Sequence, residues 1–411
     1  MKILEVITSL SPGGGERFVV DLSNALCNSR NQIILLTLKE NINSNNTFYK
    51  KELRKEVKYE SLREKKFSIK TFYKLYNKIK EIQPDVVHFH LGCTFNMILP
   101  TILLYRFPLY VQTIHCRADK EGGQVGMLIR RMIYKLPLIK QITISPDNNL
   151  SYRQIYHKDS DSLIYNGREK PKAINIDEVQ KEVNSYKQNQ ETIVVVHVAR
   201  FHPLKNQRLL INSFNKLIQE KNNIILLIIG DGYDVGEGKY LQEISHKQIH
   251  FLGLKQNIGD YLRVSDAFIL SSLSEAMPIS LIEALSCKCI PLSTPVSGCK
   301  DIIKNRINGF LSKDFTEKSF INMLYDFINN YKNINKEQLY ELYTNMFSMQ
   351  VNKAMLKVEI SLYVEKERIE FQNHIFLILL ERILLQLLRL YCAQVLETLN
   401  TYYKSSYLLW I

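Results

Sequence analysis

The 411-residue sequence lacks the short motifs that would by themselves assign a nucleotide-binding or metal-dependent chemistry. It contains neither the dinucleotide pattern G-x-G-x-x-G nor the Walker pattern G-x-x-x-x-G-K-[ST], which disfavours NAD-dependent enzymes and P-loop NTPases. Its seven cysteines include no C-x-x-C pair and no His/Cys cluster of zinc spacing. This usage favours a reduced, cytosolic protein and predicts no metal site.

Long apolar runs are also scarce. No clean stretch of about 20 apolar residues is present to span a bilayer. The first residues, Met1 to Val6, lack the apolar core of a signal peptide, so we expect no such leader. Hydrophobic residues nevertheless make up 45% of the chain and charged residues 23%, which indicates a globular protein rather than a disordered one.

Basic residues outnumber acidic ones and give a formal net charge of +13, which favours an anionic neighbour such as nucleic acid, a membrane surface or a phosphorylated molecule. The excess is concentrated at residues 50–81, where lysines and arginines are interleaved with aromatic and aliphatic side chains. This segment is expected either to lie against an anionic leaflet or to be a solvated helix face. Nucleic acid is not expected as a partner, because no recognition motif accompanies the charge.

Short apolar runs alternate with helical segments along most of the chain, which predicts an α/β fold built on doubly wound parallel sheets. The length allows two domains and a tail. The predicted divisions are a Rossmann-like N-terminal domain at 1–168, a polar linker at 169–190 and a second Rossmann-like domain at 191–365. Residues 366–411 form an atypical apolar and basic tail, which could be a membrane-surface helix, an oligomer contact or a translated remnant.

Two glutamates stand out where an apolar strand at 266–270 leads into a helix opened by Pro278. Glu275 lies on the connecting loop and Glu283 inside the helix, so both can face the crevice at the carboxyl end of a parallel strand. The helix N-terminus at 277–280 attracts a phosphate, while carboxylates accept hydrogen bonds from sugar hydroxyls. The combination suits a nucleotide sugar, and a capped surface helix with two solvated glutamates is the alternative.

Two other loops follow predicted strands on the same side. Gly13-Gly14-Gly15-Glu16 comes after the first strand, and its glycines would let backbone amides approach an anion, although a tight turn without a ligand remains the alternative. Arg200 and Lys205 follow the first strand of the second domain, where they could clamp a diphosphate or be ordinary surface cations.

Histidines mark two neighbouring strands of the N-terminal half. His88 and His90 share one strand face by the period of two, and packing or acceptor contacts are expected rather than metal ligation, since no third ligand is near in sequence. His115 ends the next strand and therefore lies on the ligand side of the predicted sheet.

Together these features resemble the retaining glycosyltransferases of family 4 (glycosyltransferase group 1), over roughly residues 1–360. The marks are the glycine loop, the Arg200 to Asn206 stretch, Gly230-Asp231-Gly232 and the pair Glu275 and Glu283. One departure is Ala276, where many members have glycine after the first glutamate. The resemblance implies the GT-B fold, two Rossmann-like domains facing each other across a cleft. It also implies transfer of a hexosyl or N-acetylhexosaminyl group from a UDP- or GDP-sugar to a glycan or lipid-linked acceptor with retention of configuration. The expected setting is the biosynthesis of capsule, O-antigen or lipopolysaccharide.

The resemblance also implies residue roles. Glu275 and His115 would be the catalytic residues, with Glu275 near the transferred sugar and Glu283 on the ribose. The donor-binding residues implied are Gly14, Gly15, Arg200, Lys205, Gly230, Asp231, Met277, Pro278, Ile279 and Glu283. The acceptor-side residues implied are Glu16, His88 and His90. No cofactor or metal is expected, because the cations can stabilise the departing nucleoside diphosphate.

The partners expected are therefore a nucleotide sugar, its acceptor and, peripherally, the anionic inner face of the plasma membrane. The sequence does not determine the oligomeric state. A nucleotide-sugar 2-epimerase on the same fold and a non-catalytic sugar-nucleotide-binding subunit are the rival hypotheses. An epimerase needs no acceptor, so incubation with the donor alone separates it from a transferase.

Overall fold

The structure is a computed structural model of the chain. It describes residues 1–40, 45–64, 69–93, 95–104, 108–119, 127, 130–131, 133–135 and 138–370. Residues Met1–Leu356 form one compact unit, and a second unit comprises Lys357–Ile411.

The N-terminal half is built on a parallel sheet whose described strands run in the order β3-β2-β1-β4-β5-β6-β7. The strands are β1 Lys2–Ile7, β2 Gln32–Thr37, β3 Lys58–Ser61, β4 Val86–Phe89, β5 Leu109–Ile114, β6 Lys140–Thr143 and β7 Ser162–Leu163. The order reverses between β1 and β4, which leaves a crevice at their carboxyl ends where such sheets bind ligands.

The C-terminal half repeats this design in the order β10-β9-β8-β11-β12-β13, again with parallel pairing. The strands are β8 Ile193–Val198, β9 Ile224–Ile229, β10 Ile249–Gly253, β11 Ala267–Leu270, β12 Ile290–Ser293 and β13 Phe310–Leu311. Its reversal lies between β8 and β11, so the loops that follow these two strands line the second crevice.

Helices connect the strands and cover the sheets. They are α1 Gly14–Leu26, α2 Ile69–Ile82, α3 Ile98–Leu103, α4 Pro146–Tyr156, α5 Ile176–Tyr186, α6 Gln207–Glu220, α7 Gly236–Glu243, α8 Ile258–Val264, α9 Ile279–Ser286, α10 Ser297–Lys300, α11 Glu317–Asn330, α12 Lys336–Leu342 and α13 Met349–Glu370. Short 3₁₀ turns cover Asn45–Glu52, Pro203–Lys205 and Tyr331–Asn333, and a π-helical turn covers Tyr343–Phe347.

The central strands are buried on both faces because helices cover both sides of each sheet. All six residues of β9 are buried, for example. The predicted α/β class with two parallel-sheet, Rossmann-like domains is thereby confirmed.

Two parts of the chain differ from the sequence-based expectation. The edge strand β3 lies inside the basic stretch and was not predicted, because a four-residue, half-buried edge strand carries little apolar signal. Residues 169–190, predicted as a linker, contain α5, which buries Val179 and Val183 and packs against α8. Two valines one helical turn apart are enough to anchor a helix that is otherwise polar.

The basic segment also has an interior face. Leu75 and Ile79 of α2 lie in the hydrophobic core, so they are not available to a membrane. Lys74 and Lys78 pair with Glu64 and Glu60. Tyr73 is exposed, so the predicted contact with an anionic leaflet stays a prediction that concerns only the outer face of this segment.

The predicted tail at 366–411 falls mostly outside the described residues, which end with α13 at Glu370. Among the helices that the structure describes, none is both long enough and apolar enough to cross a bilayer.

Candidate donor and acceptor cleft

The loops after β8 and β11 are tied together at the switch point of the C-terminal sheet. The Leu273 amide donates to the Leu204 carbonyl at 2.8 Å, and the Ser271 hydroxyl donates to the Lys205 carbonyl at 2.8 Å. These bonds bring Lys205 beside Glu275, although the two are far apart in sequence.

Lys205 and Glu275 form an ion pair within this crevice. The Lys205 Nζ lies 2.5 Å from the Glu275 Oε1, and the Ser272 hydroxyl donates to the same oxygen at 2.7 Å. The lysine side chain keeps 29% of its surface exposed, against 12% for the glutamate. A cation that is held by its neighbours but still partly open can reach an anionic ligand.

A close backbone contact explains the glycine at position 230. A Cβ there would collide with the Ala199 carbonyl oxygen, and the Phe201 amide donates to the Asp231 carbonyl at 2.7 Å. The structure therefore brings Gly230 and Asp231 against the loop that carries Arg200, so two of the motifs named in the sequence analysis lie side by side. Arg200 itself is exposed.

The glycine loop of the N-terminal half lies against the start of α9. A Cβ on Gly14 would lie 3.3 Å from the Ile279 Cγ1, and one on Gly15 would meet the Leu91 side chain. Pro278 is the N-cap of α9 rather than its first residue, and Met277 and Ile279 are buried beside it. The N-termini of α1 and α9, each of which carries amides without intrahelical partners, thus meet in one cleft.

Glu16 lies on the N-terminal side of this cleft. Burial raises the pKa of its carboxyl above the ordinary value, and the charge of Arg200 partly opposes that shift. Arg200 therefore lies close enough to Glu16 for the two charges to interact.

The predicted histidines converge on a buried glutamate that the sequence analysis did not single out. The Glu5 Oε2 lies 2.7 Å from the His90 Nε2 and 3.1 Å from the His88 Nδ1. The His90 Nδ1 lies 3.1 Å from the His115 Nε2, and the His88 Nε2 lies 2.8 Å from the Thr113 hydroxyl. His88 and His90 are buried, which differs from the predicted acceptor-side contact, because their rings bond within the sheet rather than face the cleft.

The charge states of this cluster fix the direction of its hydrogen bonds. Burial works to raise the pKa of Glu5, but the two histidines outweigh it and lower the pKa to about 2. Burial lowers the pKa of His90 to about 4, although Glu5 opposes the shift. Burial, with His90 beside it, lowers the pKa of His115 well below its ordinary value.

An ionised Glu5 can only accept, so the proton of neutral His90 is on Nε2 and its Nδ1 accepts from His115. The proton of His115 is therefore on Nε2, and its Nδ1 is unprotonated and carries a lone pair. This atom is buried and has no hydrogen-bond partner among the described residues. Its capacity to accept a hydrogen bond is therefore unused in the part of the chain that the structure describes.

Comparison with known families accounts for both halves of the cleft. The model of Glycosyltransferase Family 4 matches residues 12–166, and the model of Glycosyl transferases group 1 matches residues 178–342. The two models together match most of the chain, which belongs to the glycosyltransferases that combine these two domains. Both matched ranges include the cleft loops described above, and the predicted family is confirmed.

Curated relatives of this glycosyltransferase include an uncharacterised glycosyltransferase of Methanocaldococcus jannaschii. It is 28% identical over 58% of this chain, and the match spans 63% of the relative, just under two thirds of its length. The UDP-Gal:α-D-GlcNAc-diphosphoundecaprenol α-1,3-galactosyltransferase of Escherichia coli is 27% identical over 62% of this chain and 69% of its own. The GalNAc-α-(1→4)-GalNAc-α-(1→3)-diNAcBac-PP-undecaprenol α-1,4-N-acetyl-D-galactosaminyltransferase of Campylobacter jejuni is 25% identical over 76% of this chain and 84% of its own.

Among solved structures, Anabaena HepE in complex with UDP and glucose superposes with a TM-score of 0.72. The superposition covers 88% of this chain and 99% of HepE at 17% identity. This likeness shows the shared two-domain fold.

The glycosyltransferase also has an ion-pair network centred on Arg168, the residue at which the predicted N-terminal domain ends. The Arg168 Nε donates to the Glu283 Oε1 at 2.7 Å, and its second nitrogen bonds Asp21 of α1. Arg168 was missed because its partners are remote in sequence. The available signal was its position just after Asn166-Gly167, at the ligand edge of the first sheet.

One group of side chains in the transferase could hold a metal ion. Among the described residues, ligand atoms of Glu5, His88 and His90 lie close enough together. Their separations of 2.7 and 3.1 Å are those of hydrogen bonds. Hydrogen bonding therefore accounts for the cluster as it stands, and the expected independence from metal remains a prediction.

Proposed function

We propose that this glycosyltransferase moves a sugar from a UDP- or GDP-linked donor to a glycan or lipid-linked acceptor, with retention of configuration. The observation that carries the proposal is the meeting of the Lys205–Glu275 pair, the N-terminus of α9 and the glycine loop in one cleft. A diphosphate needs cations and amides, and a sugar needs carboxylate and imidazole acceptors. The cleft supplies both sets.

In this proposal the donor diphosphate lies between Lys205, Arg200 and the first amides of α9. As the bond from the anomeric carbon to the diphosphate oxygen breaks, negative charge develops on the leaving group. Fixed cations and helix amides stabilise that charge more than they stabilise the ground state. No metal is required for this step in the proposal.

Glu275 holds Lys205 in place and accepts from a hydroxyl of the transferred sugar. His115 offers its bare Nδ1 to another hydroxyl. The acceptor hydroxyl attacks the face that the diphosphate leaves, and its proton passes to the departing diphosphate oxygen. The new bond then has the configuration of the old one, without a covalent enzyme intermediate.

The acceptor class is supported by the relatives. The names of the Escherichia coli and Campylobacter jejuni enzymes give acceptors carried on diphosphoundecaprenol. A basic chain suits such an anionic lipid. We therefore propose a lipid-linked glycan as acceptor in the assembly of a surface polysaccharide, at the inner face of the membrane.

The test begins with thermal shifts of the protein with UDP-, GDP-, ADP- and CMP-sugars. The best donor is then incubated with polyprenyl-diphosphate glycans, with and without EDTA, and the linkage formed is determined by NMR. A product with the donor's anomeric configuration supports the proposal, and an inverted product overturns retention. Conversion of the donor without any acceptor would instead indicate an epimerase.

A further inference from the structure

Arg168 is a buried arginine that joins the two halves of the cleft. Its side chain is 8% exposed, and its two carboxylate partners, Asp21 of α1 and Glu283 of α9, are 4% and 13% exposed. Both helices begin at the cleft, where Gly14 and Ile279 approach each other. One guanidinium therefore holds the two helices side by side just behind the proposed phosphate site.

The backbone of Arg168 is itself held firmly. Its amide donates to the Phe347 carbonyl at 2.9 Å, and the Tyr343 hydroxyl donates to its carbonyl at 2.9 Å. A planar guanidinium on an anchored backbone presents its donors in one orientation. Arg168 thus sets the position of the Glu283 carboxylate rather than follows it.

The second oxygen of Glu283 is the acceptor that remains. Arg168 engages Oε1, and no hydrogen bond to Oε2 is found among the residues that the structure describes. A carboxylate clamped on one oxygen binds a ligand hydroxyl with the other at little cost in side-chain entropy.

We propose that Arg168 is a positioning residue for the donor ribose, because it orients Glu283 so that Oε2 accepts from a ribose hydroxyl. This inference rests on the proposed function, which makes the ligand a nucleoside diphosphate. In a purely structural role, Arg168 would hold the two helices together without affecting recognition of the ribose.

Arg17 provides a matched control. It bonds the same Asp21 through Nη2 at 3.2 Å, and it also pairs with Glu52 of the same half. Arg17 is 20% exposed. Replacing it removes an arginine–Asp21 pair without touching Glu283.

The experiment titrates UDP and GDP into the full chain, and then the 2′-deoxy and 3′-deoxy forms of the tighter binder. It compares the wild type with Arg168→Gln, Arg168→Lys, Arg17→Gln, Glu283→Gln and the double variant Arg168→Gln/Glu283→Gln. We expect the wild type to prefer the ribonucleotide over at least one deoxy form by about tenfold, because a hydroxyl bonded to a carboxylate is lost. We expect Arg168→Gln and Glu283→Gln to lose that preference, Arg168→Lys to keep part of it and Arg17→Gln to keep all of it.

The double variant should lose no more of the ribose preference than the more affected of the two single variants, because both changes remove the same contact. Additive losses, or a ribose preference that survives in Arg168→Gln, would overturn the inference while leaving the proposed function intact. If Arg168→Gln does not fold, Arg168→Lys decides, since an unchanged preference in that variant also counts against the inference. A wild type that binds neither nucleotide overturns the proposed function and the inference together.

Discussion

The two halves of the cleft use ionisable groups in opposite ways. In the C-terminal half, Lys205 and Glu275 form an ion pair whose cation stays partly exposed. In the N-terminal half, Glu5, His88 and His90 are buried and bond one another. The first cluster keeps a formal charge partly exposed, whereas the second leaves one neutral imidazole nitrogen, the His115 Nδ1, without a bond among the described residues.

This difference indicates which half of the cleft would recognise the diphosphate and which the sugar in the proposed reaction. A diphosphate is recognised through charge, so its cations must stay accessible. A sugar hydroxyl is recognised through direction, so its acceptor must be held in one tautomer. The buried Glu5 gives that direction because an ionised carboxylate cannot donate.

The largest effect is expected from breaking the charged side. Lys205→Ala and Glu275→Ala should each lower transfer by about a hundredfold or more, as loss of a fixed donor at a developing charge does. Near-wild-type turnover in both variants, measured with the best donor and acceptor, would remove the assignment. Lys216→Ala is the control, because it deletes an ion pair of similar length, with Glu317, on the surface.

The neutral side should respond more moderately. His90→Leu removes the acceptor that holds the His115 proton on Nε2, so we expect kcat/KM to fall roughly tenfold, equivalent to about 1.4 kcal/mol. Nitrogen-15 spectra of labelled histidine should show an unprotonated His115 Nδ1 in the wild type and a mixture of tautomers in the variant.

His88→Leu is the comparison for that experiment. It removes the other ring bonded to Glu5 but leaves the His90–His115 contact. The His115 tautomer should therefore stay as in the wild type. An equal mixture of tautomers in both variants would show that the hydrogen bonds from Glu5 through His90 do not control the tautomer of His115.

Lowering the pH should destabilise the protein first through the buried His90 of the N-terminal half. His90 has a folded-state pKa of about 4, against an ordinary value near 6.5, so the unfolded chain binds more protons between these pH values. The stability that neutral His90 provides is present above pH 6.5 and is lost as the pH falls towards 4, by an amount on the order of 3 kcal/mol.

Glu5 extends the loss, because its folded-state pKa of about 2 lies below the ordinary 4.5. Thermal midpoints measured from pH 7.5 to 3.5 should fall most steeply below pH 6.5, and His90→Leu should flatten that part of the curve. A flat wild-type profile in this range would contradict the assigned charge states.

The smallest effect is expected at the membrane. We predict binding to vesicles that contain phosphatidylglycerol, weakening with salt. Lys70→Glu and Lys80→Glu, at exposed positions, should reduce it by about 1 kcal/mol or more each. Lys74→Gln and Lys78→Gln, whose side chains pair with glutamates, should reduce it less. Binding that ignores salt, or no binding, would count against the peripheral location.

The sequence allowed much of the cleft to be predicted because its loops are local features. Each apolar strand predicts where its carboxyl end lies, and Lys205, Glu275 and the glycine loop all follow strands directly. The structure accordingly places them at the two sheet reversals. Pro278 was predicted to be the first residue of the helix but is its N-cap. The boundary differs by one residue because it depends on cap geometry, which periodicity does not encode.

The buried partners could not be predicted in the same way. Glu5 is an acidic residue inside a strand, and periodicity gives no reason for a charge there until His88 and His90 of the neighbouring strand are placed beside it. The polar run at 169–190 concealed α5 because only two of its residues are buried.

The sequence by itself determined the two parallel sheets, the edge at which ligands bind and the polar loops at that edge, because each follows from short-range patterns of apolar and turn residues. Only the tertiary structure decided that Arg168 joins Asp21 to Glu283, and that Glu5 acts on His115 through His90. These contacts connect residues 147, 115 and 85 positions apart, and strand order and domain packing bring them together. The physical reason is that a buried charge is stable only beside its partner, and the partner is chosen in space rather than along the chain.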